Sequence, residues 1–190
     1  MLAFIFDTET TGLPKHRRAK INLQPRIIEF GALLIDEDGN EHEEMNVLLD
    51  PEQEIEPIIT KITGITQDQL DGQAKFIEVL PRIMLMAAKA DIIIAHNLPF
   101  DESLLQFELQ RCGQDKFPWP RIKLCTVQEN RDAWGKRPKL TELYERVIGK
   151  PLAQTHRAID DCRALAEIVI KENYIELIAS TARANGVLIP

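Results

Sequence analysis

The chain has 190 residues, 44% of them apolar and 28% charged, with a formal net charge of −7. That is the composition of one ordinary globular domain, taken as residues 1–190, and its acidic balance excludes a surface that coats nucleic acid at large. No apolar run reaches membrane-spanning length, no signal peptide is evident, and Cys112, Cys125 and Cys162 are isolated and odd in number, so an intracellular, reducing (cytoplasmic) protein without a disulfide framework or zinc site is expected.

The first predicted element is a short buried strand over Leu2–Phe6, ended by Gly12-Leu-Pro14. Asp7 and Glu9 leave its end two residues apart, hence on one face, so two carboxylates sit side by side at the edge of a core. Like charges held that close are costly unless a cation or a proton lies between them. For this pair alone, a solvated strand end is the competing reading. A basic run, Lys15-His-Arg-Arg-Ala-Lys20, follows directly; it is either a solvated loop or a set of phosphate contacts beside the acids.

Arg26–Asp36 predicts a second strand, Asp36-Glu-Asp-Gly-Asn40 a turn, and the alternation of Met45, Val47 and Leu49 a third strand, giving an antiparallel meander. Ile77–Ala88 has helical spacing, Ala90–Ala95 is a buried strand, and Pro99 opens a helix running to about Cys112. Further helices are predicted over Val127–Trp134, Lys139–Ile148, Arg157–Lys171 and Tyr174–Asn185. The order of elements predicts an α/β fold with a mixed sheet and helices packed on it.

Two more acids lie at the starts of these helices. Asp101, in Ala95-His-Asn-Leu-Pro-Phe-Asp101, shares the inward stripe of Leu104, Leu105 and Cys112, whereas Glu102 points elsewhere. The helix macrodipole alone accounts for an acid in a first turn, but not for one on the buried face. In Thr155-His-Arg-Ala-Ile-Asp-Asp-Cys-Arg-Ala164, Asp161 falls with Ala158, Leu165 and Ile168 on the core side. Asp160 falls with Arg163, Glu167 and Lys171 on the solvent side. His156 lies just before this helix.

Phe6-Asp-Thr-Glu-Thr-Thr-Gly-Leu13, Asn97-Leu-Pro-Phe-Asp101 and His156-Arg-Ala-Ile-Asp-Asp161 resemble, in order, the three motifs of the DEDDh class of 3′–5′ exonucleases. These are the DnaQ-like proofreading enzymes related to the DNA polymerase III epsilon subunit. The likeness extends through Arg26-Ile-Ile-Glu-Phe-Gly-Ala32, Ile62-Thr-Gly-Ile-Thr66 and Lys139-Leu-Thr-Glu-Leu143. It implies the ribonuclease H-like exonuclease fold, with an antiparallel meander continued by parallel strands. Three departures stand out: Thr63 where many relatives have His, Leu98 where they have a small residue, and a long segment between Leu13 and Arg26.

The resemblance implies metal-dependent release of nucleoside 5′-monophosphates from 3′ ends, preferably of single-stranded DNA, in replication or repair. Two divalent cations would be used, Mg²⁺ with Mn²⁺ substituting. Asp7, Glu9 and Asp161 would hold the first, Asp7 would bridge to the second, and Asp101 would act largely through water. His156 would be the base that takes the proton of the attacking water, since imidazole titrates near neutrality. Thr10 and Thr11 would contact the terminal nucleotide, Leu13 would wedge between the last two bases, and Ile65 would line the terminal base pocket. For Leu13 and Ile65 core packing is the competing reading. Asn97 either sits near the scissile phosphate or caps the helix before Pro99, and Phe100 reads as core. Competing functions are trimming of RNA 3′ ends and a catalytically silent module that binds nucleic acid or a DNA polymerase.

Overall fold

The computed structural model describes residues 1–16, 18–131 and 136–184, with side chains as far as Thr181. β1 (Leu2–Thr10), β2 (Ile27–Asp36) and β3 (Glu41–Leu48) form the antiparallel meander expected from their alternation and the turn at Asp36–Asn40. β4 (Ile92–Ala95) runs parallel to β1 on its other side, and β5 (Ile122–Cys125) runs parallel to β4. The sheet order is β3-β2-β1-β4-β5, so β1 is central and covered on both faces. That is why its sequence is almost unbroken in apolar residues.

The helices are α1 (Pro57–Thr63), α2 (Gln67–Leu70), α3 (Phe76–Ala87), α4 (Leu98–Arg111), α5 (Thr126–Glu129), α6 (Leu140–Ile148), α7 (Ala158–Lys171) and α8 (Tyr174–Ala184). Strand alternation divides the core in two. Phe4, Phe6 and Phe30 stack on one face and pack against Leu80 and Ile83 of α3 and Leu104 and Leu105 of α4. Ala3, Ile5, Leu33 and Ile94 face the other way, onto Leu143 and Tyr144 of α6 and Leu165 and Ile168 of α7. The helical layers therefore meet at the C-terminal end of β1, where the apolar alternation gives way to Asp7, Thr8 and Glu9.

Predicted elements and structure differ in several places, the first being β1, which continues past the predicted end at Phe6 to Thr10. β5, only four residues long, is absent from the predicted set. α1 and α2 are absent too, because Ile58 and Ile62 of α1 are half exposed and show no inward stripe. In place of the predicted helix Val127–Trp134 stands the single turn α5, which ends at its C-cap Asn130; residues 132–135 lie outside the described residues. Arg17 of the basic run, Asn185 and the apolar tail Gly186–Pro190 also lie outside them.

Candidate active site

β1 brings Asp7 and Glu9 to the α7 face of the sheet and Thr8 to the α4 face. Asp101, in the first turn of α4, is 2% exposed and accepts a hydrogen bond from Thr8 Oγ1 at 2.8 Å. Asp161, in the first turn of α7, is 8% exposed and accepts from Gln154 Nε2 at 3.2 Å. Asp160 lies outside this cluster and accepts from Thr155 Oγ1 at 2.7 Å, the division that helical spacing predicts for the two aspartates. Asp7, Glu9, Asp101, Asp161, His156 and Asn97 line one cleft of about 540 Å³. Glu9, His156 and Asp161 each offer one ligand atom within 4.8 Å of the other two.

The crowding acts on the acids. Asp7 is held well above the usual carboxylate range, first by burial and then by Asp101, Asp161 and Glu9. Glu9 is pushed up to about 8 by burial, with Asp161, Glu29 and Asp101 adding repulsion and Arg157 opposing it. Burial also raises Asp101, against the Thr8 hydrogen bond, and Asp161, against the Gln154 hydrogen bond. Carboxylates that resist ionisation together, with oxygens aimed into one cleft, match the donor set of a hard divalent cation. The residues fit such an ion.

A stability prediction follows from the sign of these shifts. Between the ordinary glutamate value of 4.5 and about 8, the native metal-free protein keeps a proton on Glu9 that the unfolded chain has lost. Stability then falls as pH rises through that window, and the raised Asp7 and Asp161 act in the same sense. The melting temperature without metal should be several degrees lower at about pH 8.5 than at about pH 5.5, and Mg²⁺ should restore more of it at the higher pH. A metal-free melting temperature that rises over this range would contradict the arrangement.

The remaining predicted contacts are placed as follows. Thr10 Oγ1 donates to the Gly12 carbonyl at 2.8 Å, and Thr11 Oγ1 accepts from Arg26 N at 2.9 Å. Both hydroxyls thus shape the turn that leaves β1. Leu13 is 78% exposed, so the core-packing alternative does not describe it. With Lys15, Leu23 and Ile58 it lines a second cleft of about 390 Å³ that shares the Thr11–Gly12 turn. Ile65 is 1% exposed and packs with Ile28, Ile59 and Leu70. That is the core packing named as the alternative to a base-pocket role for Ile65. Asn97 does not cap α4. Its backbone is left-handed at φ 71°, no side-chain cap bond forms, and its Oδ1 accepts from Arg137 Nη2 at 3.1 Å. Phe100 packs against the core and also borders the cleft.

Two of the three departures from the family pattern, Thr63 and Leu98, are internal. Thr63 Oγ1 donates to Ile59 O and accepts from Ile65 N, closing α1, and Leu98 is buried in the core. Several residues that build the site carry weaker signals in the sequence. Thr8 and Gln154 are polar neighbours of motif acids. His96 is held below the usual imidazole range, at about 4, by burial. Its Nε2 donates to Pro138 O, which leaves Nδ1 to accept from Thr126 Oγ1. His96 is therefore a neutral brace for the segment that leads into α6.

A family model described as exonuclease (RNase_T) matches residues 4–169. Over 189 residues the chain is 33% identical to a DNA polymerase III PolC-type protein of Caldanaerobacter subterraneus subsp. tengcongensis, covering 97% of this chain and 13% of that one. It is 29% identical over 182 residues to the DNA polymerase III subunit epsilon of Treponema pallidum, covering 95% and 78%. The chain thus spans only 11% to 13% of the length of the first PolC-type relatives. Among solved structures, Exonuclease X in complex with 5′ overhanging duplex DNA aligns at a TM-score of 0.64 and 24% identity, over 88% and 89% of the two chains. The nuclease domain of 3′hExo, a DEDDh family member bound to rAMP, aligns at 0.71 and 18% identity, over 90% of each. These likenesses show the ribonuclease H-like fold. With a family model that matches residues 4–169 and so spans all three acidic motifs, this chain belongs to the exonuclease family.

Proposed function

We propose that the protein is a metal-dependent 3′–5′ exonuclease that releases nucleoside 5′-monophosphates from single-stranded DNA ends. The observation that carries this reading is the convergence of Asp7, Glu9, Asp101 and Asp161 with His156 in one cleft. Asp7, Glu9 and Asp161 are the ligands proposed for the first of two divalent cations, with Asp7 reaching the second and Asp101 acting through water. Mg²⁺ is the proposed physiological ion, with Mn²⁺ able to replace it. When bound, the pair of ions supplies the positive charge that stabilises the attacking and leaving oxygens of a phosphodiester.

The chain's own residues divide the remaining work. His156 stands at the cleft within reach of Glu9 and Asp161 and takes the proton of the attacking water. Thr8 holds Asp101 in one orientation and Gln154 does the same for Asp161. Lys139 borders the cleft, and Arg137 donates to Asn97, which lines it. These cations offer contacts to backbone phosphates on an otherwise acidic protein. The exposed Leu13, Leu23 and Ile58, with Lys15, form an apolar lip with a cation, the combination that suits unstacked bases on a phosphate strand. The polymerase III names of the relatives support a replication or repair setting, with a polymerase as proposed partner.

Matched DNA and RNA oligonucleotides with free or 3′-phosphorylated ends test the substrate. DNA should be shortened one nucleotide at a time from the free 3′ end, with RNA at least about 10-fold slower, a discrimination of about 1.4 kcal/mol. Faster loss of RNA would move the protein to RNA end trimming. His156→Ala, with Mn²⁺ affinity retained, should cut hydrolysis about 100-fold or more, and undiminished activity would remove His156 from the base role.

A further inference from the structure

Glu29 is a carboxylate in the middle of β2 with none of its surface exposed, and the proposed hydrolysis does not use it. It lies opposite Glu9 in the β1–β2 register. Five carboxylates therefore gather at this end of the sheet, and among the described residues Glu29 is the one of them held in an ion pair. Its Oε1 accepts from Arg157 Nη2 at 2.7 Å and Nε at 3.0 Å. Its Oε2 accepts from Arg157 Nε at 3.1 Å and from the Ala158 backbone N–H at 3.0 Å. A buried charge of this kind is tolerable only with such complete pairing. Ala158 is the first residue of α7, and Arg157, at the N-cap, makes no side-chain cap bond there. Glu29 takes the cap's place from across the sheet, its negative charge at the positive end of the helix dipole.

Arg157 stands between the histidine and the helix that carries Asp161. The His156 backbone is left-handed, at φ 52°, a conformation a non-glycine residue keeps only when its surroundings enforce it. On one side of it Thr155 is tied to Asp160, and on the other Arg157 is tied to Glu29. We propose that the Glu29–Arg157 pair is a positioning device that sets His156 and Asp161 against Asp7 and Glu9 and keeps Glu29 out of the metal-ligand set. This inference rests on the exonuclease reading above.

The Arg157 side chain is 37% exposed, so the rival role is a direct phosphate contact, and the two roles differ in kinetics. The test compares Arg157→Met, Arg157→Lys, Glu29→Gln and the double variant Glu29→Gln/Arg157→Met. Lys150→Met serves as control, because Lys150 ties the same helix, through Glu167, to the bend after α6 on the exposed surface. Measured are kcat and KM on a single-stranded oligonucleotide, Mn²⁺ affinity from the electron paramagnetic resonance of free Mn²⁺, and thermal melting. Arg157→Met should lower kcat about 10- to 100-fold with KM within about twofold, and weaken Mn²⁺ binding about 10-fold. Arg157→Lys should recover part of both, and the double variant should be no worse than Arg157→Met. Lys150→Met should match the wild type.

A raised KM with intact kcat would make Arg157 a phosphate contact and overturn the proposal. So would unchanged kcat and Mn²⁺ affinity in a folded Arg157→Met protein, or equal damage from Lys150→Met. Should Arg157→Met fail to fold, the double variant, which buries no charge at this spot, carries the same comparison. A wild type that binds Mn²⁺ yet cleaves nothing would defeat the exonuclease reading instead, and the Mn²⁺ affinities would still decide the role of the pair.

Discussion

Asp7→Asn is expected to cut hydrolysis by roughly 1,000-fold or more while raising the melting temperature of the metal-free protein. The two effects share one cause. Asp7 is pressed to keep a proton, by its burial and by Asp101, Asp161 and Glu9 around it. Replacing it with a neutral group of the same shape removes the centre of that repulsion, so the fold gains at alkaline pH. The same replacement takes away the charge that a bound cation needs, and a loss of several kcal/mol of transition-state stabilisation corresponds to a factor of about 1,000. Initial rates in Mg²⁺ and metal-free melting at about pH 8 check both halves. A variant that loses activity and melts lower would show Asp7 as a structural hub instead of a site held at a cost in stability.

The second large effect is expected from a methyl group. Gly31 lies opposite Asp7 in the sheet register, and a Cβ there would stand 2.5 Å from the Ala158 carbonyl carbon and 2.6 Å from Ile159 N. Both atoms are helix backbone, which cannot swing aside as the tip of a flexible side chain can. Gly31→Ala should therefore push the start of α7 off the sheet, costing about 1–3 kcal/mol of stability. Because His156 and Asp161 travel with that segment, a shift of about 1 Å should also cost roughly 100-fold in kcat. Melting curves and kcat per folded molecule test the two claims separately. Wild-type stability in Gly31→Ala would mean that α7 does not rest on this glycine.

These expectations show which parts of the site are legible in the sequence. Period-two spacing puts Asp7 and Glu9 on one face of β1, and helical spacing separates buried Asp161 from half-buried Asp160. Both rules apply because the elements concerned are long and packed on an apolar side. The signals fail where a residue's role is set by a partner distant in the chain. Glu29 and Gly31 stand inside the apolar run Ile27–Ile35, and an acid and a glycine in a buried strand are themselves anomalies. What explains them is α7, more than 120 residues away in the chain. Asn97 precedes a proline-opened helix, as a cap would, yet its left-handed backbone turns the side chain to Arg137. Ile65 and Leu13 have the same apolar character, and only the three-dimensional packing separates the buried one from the exposed one. β5 escapes detection because four residues between Pro120 and α5 carry too little pattern to distinguish a strand from a loop.

The most direct measurement is a digest of a 5′-labelled single-stranded DNA with Mg²⁺, beside a chelator control and Asp7→Asn. A ladder that shortens from the 3′ end, with nucleoside 5′-monophosphates as product and no cleavage in either control, is the predicted result. Undiminished shortening by Asp7→Asn, or by the wild type in chelator, would contradict a carboxylate-held metal site as the source of the activity.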